Sequence, residues 1–560
     1  MHIRNLYKTL AFYICAVLAV VVALGFLPPQ RTSGRDSLGF SAQRVSDDIR
    51  VIAKEPHSIQ HTKERKVLGE FLFYRLQQMG GDTQIIEYDT IPSKIGGKFS
   101  YSNIYSVYPP QGAGDAGNKD YLPDSSISYI LLVAHYDSRY RQIVGKDTVF
   151  SYGAADDGYG LGTIMELVSG ALKYRDEWKQ GIKVLFTDAE EHDMDGMRSA
   201  WKENPEIFSD VNLVVNVEAR GVKGPALLFE TSPGNEKVME LYGEAHRPHG
   251  MSLTSFVYTF LSNDTDFSVV KDSIPGMNFA VIDNLKHYHT DLDNYSNISL
   301  ESIQHYGDQL EPVLKEYLTG EEYSARDAFK GERDIVFFAL PVLGMFAFSK
   351  GGWLLLNAAV FALFLFVLYI YVKYKMIPFK GVMRAFGHLL LFAFGAFALG
   401  CAVVYAAAYY QGYEFSFLDL KYISKDYRIS LACILVQLMW LLVFCRLRER
   451  RDKYYVWKML LASNLLLFVL SLAFLFVAGE NFFVLMPLAT SSVAMFFSVA
   501  RNFKWLYLVS CTFTVLFAVY FLYLLYVALA FGSLGVILFL AVIYSATVVS
   551  QYYCLKRRAV

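Results

Sequence analysis

Cysteine is scarce where it would matter most. All six, Cys15, Cys401, Cys433, Cys445, Cys511 and Cys554, lie in or beside long apolar runs, and residues 30–333 contain none. That stretch therefore has no disulfide, no thiolate metal site and no thiol nucleophile, and an ordinary hydrophobic core must hold it together. A basic stripe interleaved with aromatics is also missing. The net charge of −1 says nothing of partners, but without such a stripe residues 30–333 offer no face to a phosphate backbone, which argues against nucleic acid. Nothing in the sequence points to a protein partner.

Charge is thin overall, 19% of residues against 54% hydrophobic, and the imbalance is local. Residues 30–333 read as a globular mixture, whereas the remainder is built from apolar runs of roughly 16 to 25 residues, long enough to cross a bilayer core. The opening "MHIRNLYKTLAFYICAVLAVVVALGFLPPQR" places basic residues before an apolar run and lacks a small-x-small cleavage site, so it reads as an uncleaved anchor. The expected division is 1–29 as N-terminal tail and anchor, 30–333 as an extracytoplasmic domain, and 334–560 as a multi-spanning domain of about eight helices in the lipid bilayer. The basic loops "KYKMIPFK", "RLRERRDK" and "RNFK" and the tail "KRRAV" agree if all face the cytoplasm. Counting Ile335–Phe348 as a span gives an odd total and puts the tail outside, so that short run is where the two arguments part. The runs carry no relay of Asp, Glu or His, which favours anchoring or packing over transport.

Within 30–333, amphipathic helical patterns at Ser41–Ala53 and Lys63–Met79 precede strand-like runs: "ISYILLVAHYDS", "GIKVLFTDAEE", "NLVVNVEARG", "PALLFE" and "MNFAVID". Helical patterns between them, notably Leu161–Tyr174, imply an α/β fold with a mainly parallel mixed sheet covered by helices. Ligands of such sheets bind beyond the carboxyl ends of the strands. Polar residues collect there: His135 and Asp137, Asp156 and Asp157, Glu190 and Glu191, Glu218, and then His287, His289, Asp291 and Asp293. Taken singly, each has a plain explanation as a surface pair, a helix N-cap or a solvated loop. Taken together, two imidazoles and three carboxylates at one sheet edge suit a pair of divalent cations, most simply zinc.

The order H-x-D, G-A-x-D-D-x-x-G, E-E-x-x-x-x-G, a lone acid and Y-H-T-x-x-D resembles metallopeptidase family twenty-eight, the dizinc aminopeptidases. The stretch "NDTDFSVVKDSIPGMNFAVIDN" followed by "YHTDLDN" is similar to that family's membrane-bound branch, the endoplasmic reticulum metallopeptidases and vacuolar membrane proteases. The resemblance spans residues 40–330 by motif and the rest by layout. It implies a zinc-exopeptidase-like fold and a peptide substrate. It also implies two Zn2+ per chain, one on His135 and Glu218 and one on Glu191 and His289, with Asp156 between them. A cis peptide between Asp156 and Asp157 is a further implication. By the same resemblance Asp137 orients His135, Glu190 is the general base for a water shared by the ions, and Tyr288 is an oxyanion donor. Asp264 resembles a position near the site. Glu218 stands where soluble members carry Asp, and the lead-in "EPHSIQ" lacks their Gly-Ser.

Two rivals stay open at this point. Glutaminyl cyclases share the "HYDS" and "HTDLDN" stretches but use one zinc and carry Trp where this chain has Tyr288. The other rival is a non-catalytic ectodomain on a membrane scaffold. For compartment, a cysteine-free exported domain favours a bacterial cell membrane over a vacuolar or other endomembrane. The three N-x-S/T sites, Asn263, Asn294 and Asn297, all flank the proposed centre, where glycans would crowd substrate.

Overall fold

The computed structural model describes residues 2–25, 32–112, 127–144, 147–259, 264–340, 343–374, 377–416, 420, 422–452, 454–501 and 503–556. Asn263 and the last four residues of the basic tail lie outside them. The chain divides into two compact units: Met1–Leu27 with Gly351–Val560, and Pro28–Lys350.

Strands buried on both faces need no polar alternation, and that is how the second unit is built. The runs YILLVAH (β3, Tyr129–His135), GIKVLFT (β4, Gly181–Thr187) and VNLVVNVEA (β5, Val211–Ala219) are buried at every position. With β1 (Asp82–Pro92), β2 (Lys98–Tyr108), β6 (Lys223–Thr231) and β7 (Gly276–Asp283) they form a seven-stranded sheet in the order β1-β2-β4-β3-β5-β7-β6. Pairing is parallel from β4 through β3 and β5 to β7, and antiparallel at both margins. The two faces read off β3: Ile130, Leu132 and Ala134 join the larger core, and Leu131 and Val133 the smaller one.

The larger face is covered by helices Ala42–Ile52, Gly158–Ala171 and Leu300–Thr319. Ser41 caps the first by accepting the Arg44 N–H at 3.3 Å. The smaller face is covered by Asp195–Glu203 and by the segment around Phe267, Val270 and Ile274. Strands β1 and β2 are absent from the sequence reading. They form the outer antiparallel margin, and β1 is nowhere fully buried, so it carries no apolar run to betray it.

The run Ile335–Phe348 does not span. It folds as an antiparallel hairpin, Ile335–Leu340 with Gly344–Ser349, and belongs to the globular unit. Phe337 is 1% exposed within the larger core, and the Ala339 N–H donates to the Gly250 carbonyl at 2.9 Å. The physical reason is length and turn. The run is too short for a bilayer, and Gly344, at φ +82°, supplies the left-handed residue of a reversal. Among the described residues, seven helices long and apolar enough to cross a membrane follow it, from Lys350–Tyr374 to Phe531–Lys556. Tyr7–Gly25 precedes it, which makes eight in all rather than nine.

Candidate metal centre

The carboxyl ends of the parallel strands deliver the polar residues to one place. His135 is the last residue of β3 and lies level with Thr187 at the end of β4. The chain then turns through Ala189, which takes a left-handed backbone at φ 56°, and presents Glu190 and Glu191 on a single helical turn. Gly196 makes that turn possible, since a Cβ there would lie 2.4 Å from the Asp188 carbonyl oxygen. It accounts for the glycine of E-E-x-x-x-x-G. Glu218 comes from β5, and His289 follows β7 through the short turn Leu285–His287.

Asp156 and Asp157 precede helix Gly158–Ala171, and the peptide between them is cis. Asp157 faces inward as a scaffold, accepting the Gly160 N–H at 2.9 Å and the His135 N–H at 3.3 Å. Gly160 leaves room for this, because a Cβ there would lie 2.6 Å from the Val217 carbonyl. Asp293 backs the same segment, taking the N–H groups of Ala155 at 2.7 Å and Asp156 at 3.3 Å. It therefore supports the loop and joins no ligand set. Burial pushes Asp293 up to about 7.

Two overlapping sets result. His135 Nε2 lies 3.2 Å from Asp156 Oδ1 and 3.5 Å from Glu218 Oε2. His289 Nε2 lies 3.3 Å from Asp156 Oδ2 and 3.0 Å from Glu191 Oε1. Each set offers three donor atoms mutually within 4.8 Å, and Asp156 belongs to both with a different oxygen. Asp156 Oδ2, Glu191 Oε1 and His289 Nε2 are buried without a hydrogen-bond partner. Buried lone pairs left open at such cost and aimed at one another fit a divalent cation, and carboxylate oxygen with imidazole nitrogen is a zinc donor set.

Asp137 lies beneath these residues. Its main-chain carbonyl is 2.9 Å from His135 Nδ1, while its carboxylate accepts the N–H of Glu190 at 2.9 Å and of Glu191 at 3.3 Å. It thus holds the glutamate turn as well as the imidazole. Glu190 lies in neither set. Burial raises its pKa well above the usual carboxylate range, with the charges of Glu218 and Glu191 adding to the shift and His135 opposing it. Glu191 moves the other way: burial pushes it up, but His289 and Arg139 outweigh burial and hold it low. Adjacent glutamates thus have opposite characters.

The Tyr288 ring stacks on His289, centroids 3.6 Å apart. His287 is buried in the turn and belongs to no ligand set. Asp264 is exposed, and the buried acid of that segment is Asp266, which accepts the Thr187 hydroxyl. Burial raises Asp266 to about 7, and its other oxygen has no partner. Arg139 is a second residue the sequence reading passes over. Its Nη1 donates to the Glu191 carbonyl and to Oε2, both at 2.9 Å. Behind Glu218, a buried amide ladder runs from Asn216 to Asn278 at 3.0 Å and on to Glu230 at 3.1 Å. Nothing in the local sequence separates Asp266 from Asp264, and nothing local marks Arg139.

A mixed, mainly parallel sheet with this cage at its carboxyl edge defines an α/β domain with a candidate two-compartment metal centre. Residues 120–314 match Peptidase family M28, and the globular unit carries a domain of that family. Endoplasmic reticulum metallopeptidase 1 of Mus musculus is 25% identical over 64% of this chain and 40% of its own length. The vacuolar membrane protease of Penicillium rubens is 30% identical over 31% of this chain and 17% of its own. The chain therefore spans well under half of these relatives. Among solved structures, glutaminyl cyclase of Porphyromonas gingivalis is 20% identical over 50% of this chain and 99% of its own, with a TM-score of 0.38.

Proposed function

We propose that this chain is a membrane-anchored dizinc metallopeptidase that hydrolyses peptide bonds and acts as an aminopeptidase. The single observation that carries the reading is the division of Asp156, one oxygen toward His135 and the other toward His289. A carboxylate so shared supports two cations, one on His135 and Glu218 and one on Glu191 and His289, and argues against a one-zinc cyclase site. When bound, the pair of ions polarises the scissile carbonyl and makes water acidic enough to attack at neutral pH.

The chain's own residues do the rest. Glu190, beside both sets but in neither, takes a proton from water and hands it to the departing amine, a role its raised pKa supports. Asp137 fixes Glu190 through its main-chain N–H. Tyr288, whose ring stacks on His289, is the candidate donor to the developing oxyanion. With eight candidate spans, an N-terminus in the cytoplasm puts every basic loop on the cytoplasmic side and the peptidase domain on the other. A bacterial cell membrane remains the favoured setting.

The zinc-loaded chain incubated with a mixed peptide library should release single residues from free N-termini, read by mass spectrometry. Internal cleavage, cyclised N-terminal glutamine or no product would overturn the aminopeptidase reading.

A further inference from the structure

The two ligand sets share Asp156 but differ in what surrounds them. The charged groups acting on His135 are the carboxylates of Glu218, Asp137 and Asp156. Around Glu218 the neighbours are His135, Asp156 and Asn216. The largest of these influences are thus carboxylates, an imidazole and an amide. The other set faces a cation. Arg139 Nη1 lies 2.9 Å from Glu191 Oε2, and the Arg139 side chain is mostly buried, packed over the Tyr140 ring at 4.2 Å.

Glu191 is consequently divided. Oε1 points to His289 and Asp156, while Oε2 is already taken by a charge-assisted hydrogen bond. A carboxylate held this way offers a cation one oxygen rather than two. A fixed positive charge one carboxylate away also opposes a divalent ion directly, with little solvent to screen it.

We propose that Arg139 makes the two cation sites unequal, so that the His289 site binds zinc more weakly and exchanges it while the His135 site stays loaded. Arg139 acts through Glu191 and is a positioning residue, not a catalytic one. The proposal rests on the dizinc reading. It gives the centre a dependence on free zinc: the half-loaded form predominates when zinc is scarce, and the second ion completes it.

The test is zinc titration of the full chain in lipid nanodiscs, by calorimetry and by chelator competition, after metal removal. The wild type should take up two zinc ions, the second at least about tenfold more weakly. His289→Ala should abolish the weaker phase and spare the tighter one. Arg139→Gln should tighten the weaker phase about tenfold and leave the tighter one unchanged, whereas Arg139→Lys, which keeps the charge, should preserve the gap. Two equally held ions in the wild type would overturn this proposal and leave the dizinc reading standing. So would a weaker second site in both Arg139 variants, which would mean that the arginine only orients Glu191. No zinc uptake at either site would overturn both proposals, and the wild-type titration decides this without any variant.

Discussion

Asp137 accepts the main-chain N–H of Glu190 at 2.9 Å while its own carbonyl faces His135 Nδ1 at the same distance. One residue thus ties a candidate ligand imidazole to the turn bearing the candidate base, so a shift of one is felt by the other. Asp137→Asn keeps the volume but removes the charge and one of the two acceptor oxygens. Loss of such a supporting contact commonly costs about 10- to 100-fold in metal affinity or activity. Both kcat and zinc retention should fall together, as measured by turnover and by metal analysis after dialysis. A variant with unchanged values for both would show that the turn is held by its own backbone.

Glu190→Gln separates proton transfer from metal binding. The amide cannot take the proton, and removal of a general base typically costs about 10²- to 10⁴-fold in rate. Zinc content should stay that of the wild type, because Glu190 belongs to neither ligand set. Normal turnover in this variant would remove Glu190 from its assigned role.

Acid stability gives a test far from the centre. Burial, with His305 adding, lowers His249 to about 3, and burial lowers His305 to about 4 despite its contact with the Arg247 carbonyl. A base whose folded pKa is depressed takes up its proton first in the unfolded chain. Its contribution is complete above the unfolded value near 6.5 and is lost as pH falls from there toward 3 or 4. Asp188, Asp266 and Asp293, raised to between about 6 and 7, act in the opposite sense over the same window. The informative quantity is therefore a difference. The stability of the wild type relative to His249→Phe should decline by up to about 1.4 kcal/mol per pH unit between pH 6 and 4, followed by denaturant melts. A difference that does not vary with pH would contradict the buried neutral imidazole.

Membrane sidedness follows from the span count. The segment between Phe379–Gln411 and Asp426–Arg451 should share the side of the peptidase domain, and Asp452 should face the cytoplasm. Glu414→Cys should react with a membrane-impermeant thiol reagent in intact cells, and Asp452→Cys only after lysis. The reverse pattern would invert the topology.

The central strands are legible in the sequence because parallel strands buried on both faces leave mostly apolar runs, and two of them carry a candidate donor at the end, His135 on β3 and Glu218 on β5. The outer pair β1 and β2 is not legible, since exposed β1 needs no such run and β2, though mostly buried, alternates apolar residues with Ser and Asn in KFSYSNIYSVY. The hairpin Ile335–Ser349 misleads for the opposite reason: its first strand, with Phe337 and Phe338, is buried in the globular unit, and apolar content alone does not tell that from lipid. At the centre, the candidate ligands stand out by residue type and strand position. The choice between Asp264 and Asp266 turns on which way a two-residue step faces. Arg139 and Glu191 lie 52 residues apart, and their pairing exists only once β3 and β4 are side by side.

Asp156 is the one candidate donor common to both sets, so damage there does not stay confined. Losing His135 or His289 strips a single compartment and leaves the other with all three of its donors. Losing Asp156 takes a donor from both at once. The chain has no partial version of that lesion, so any lineage that drifted at this position would forfeit the whole centre in one step.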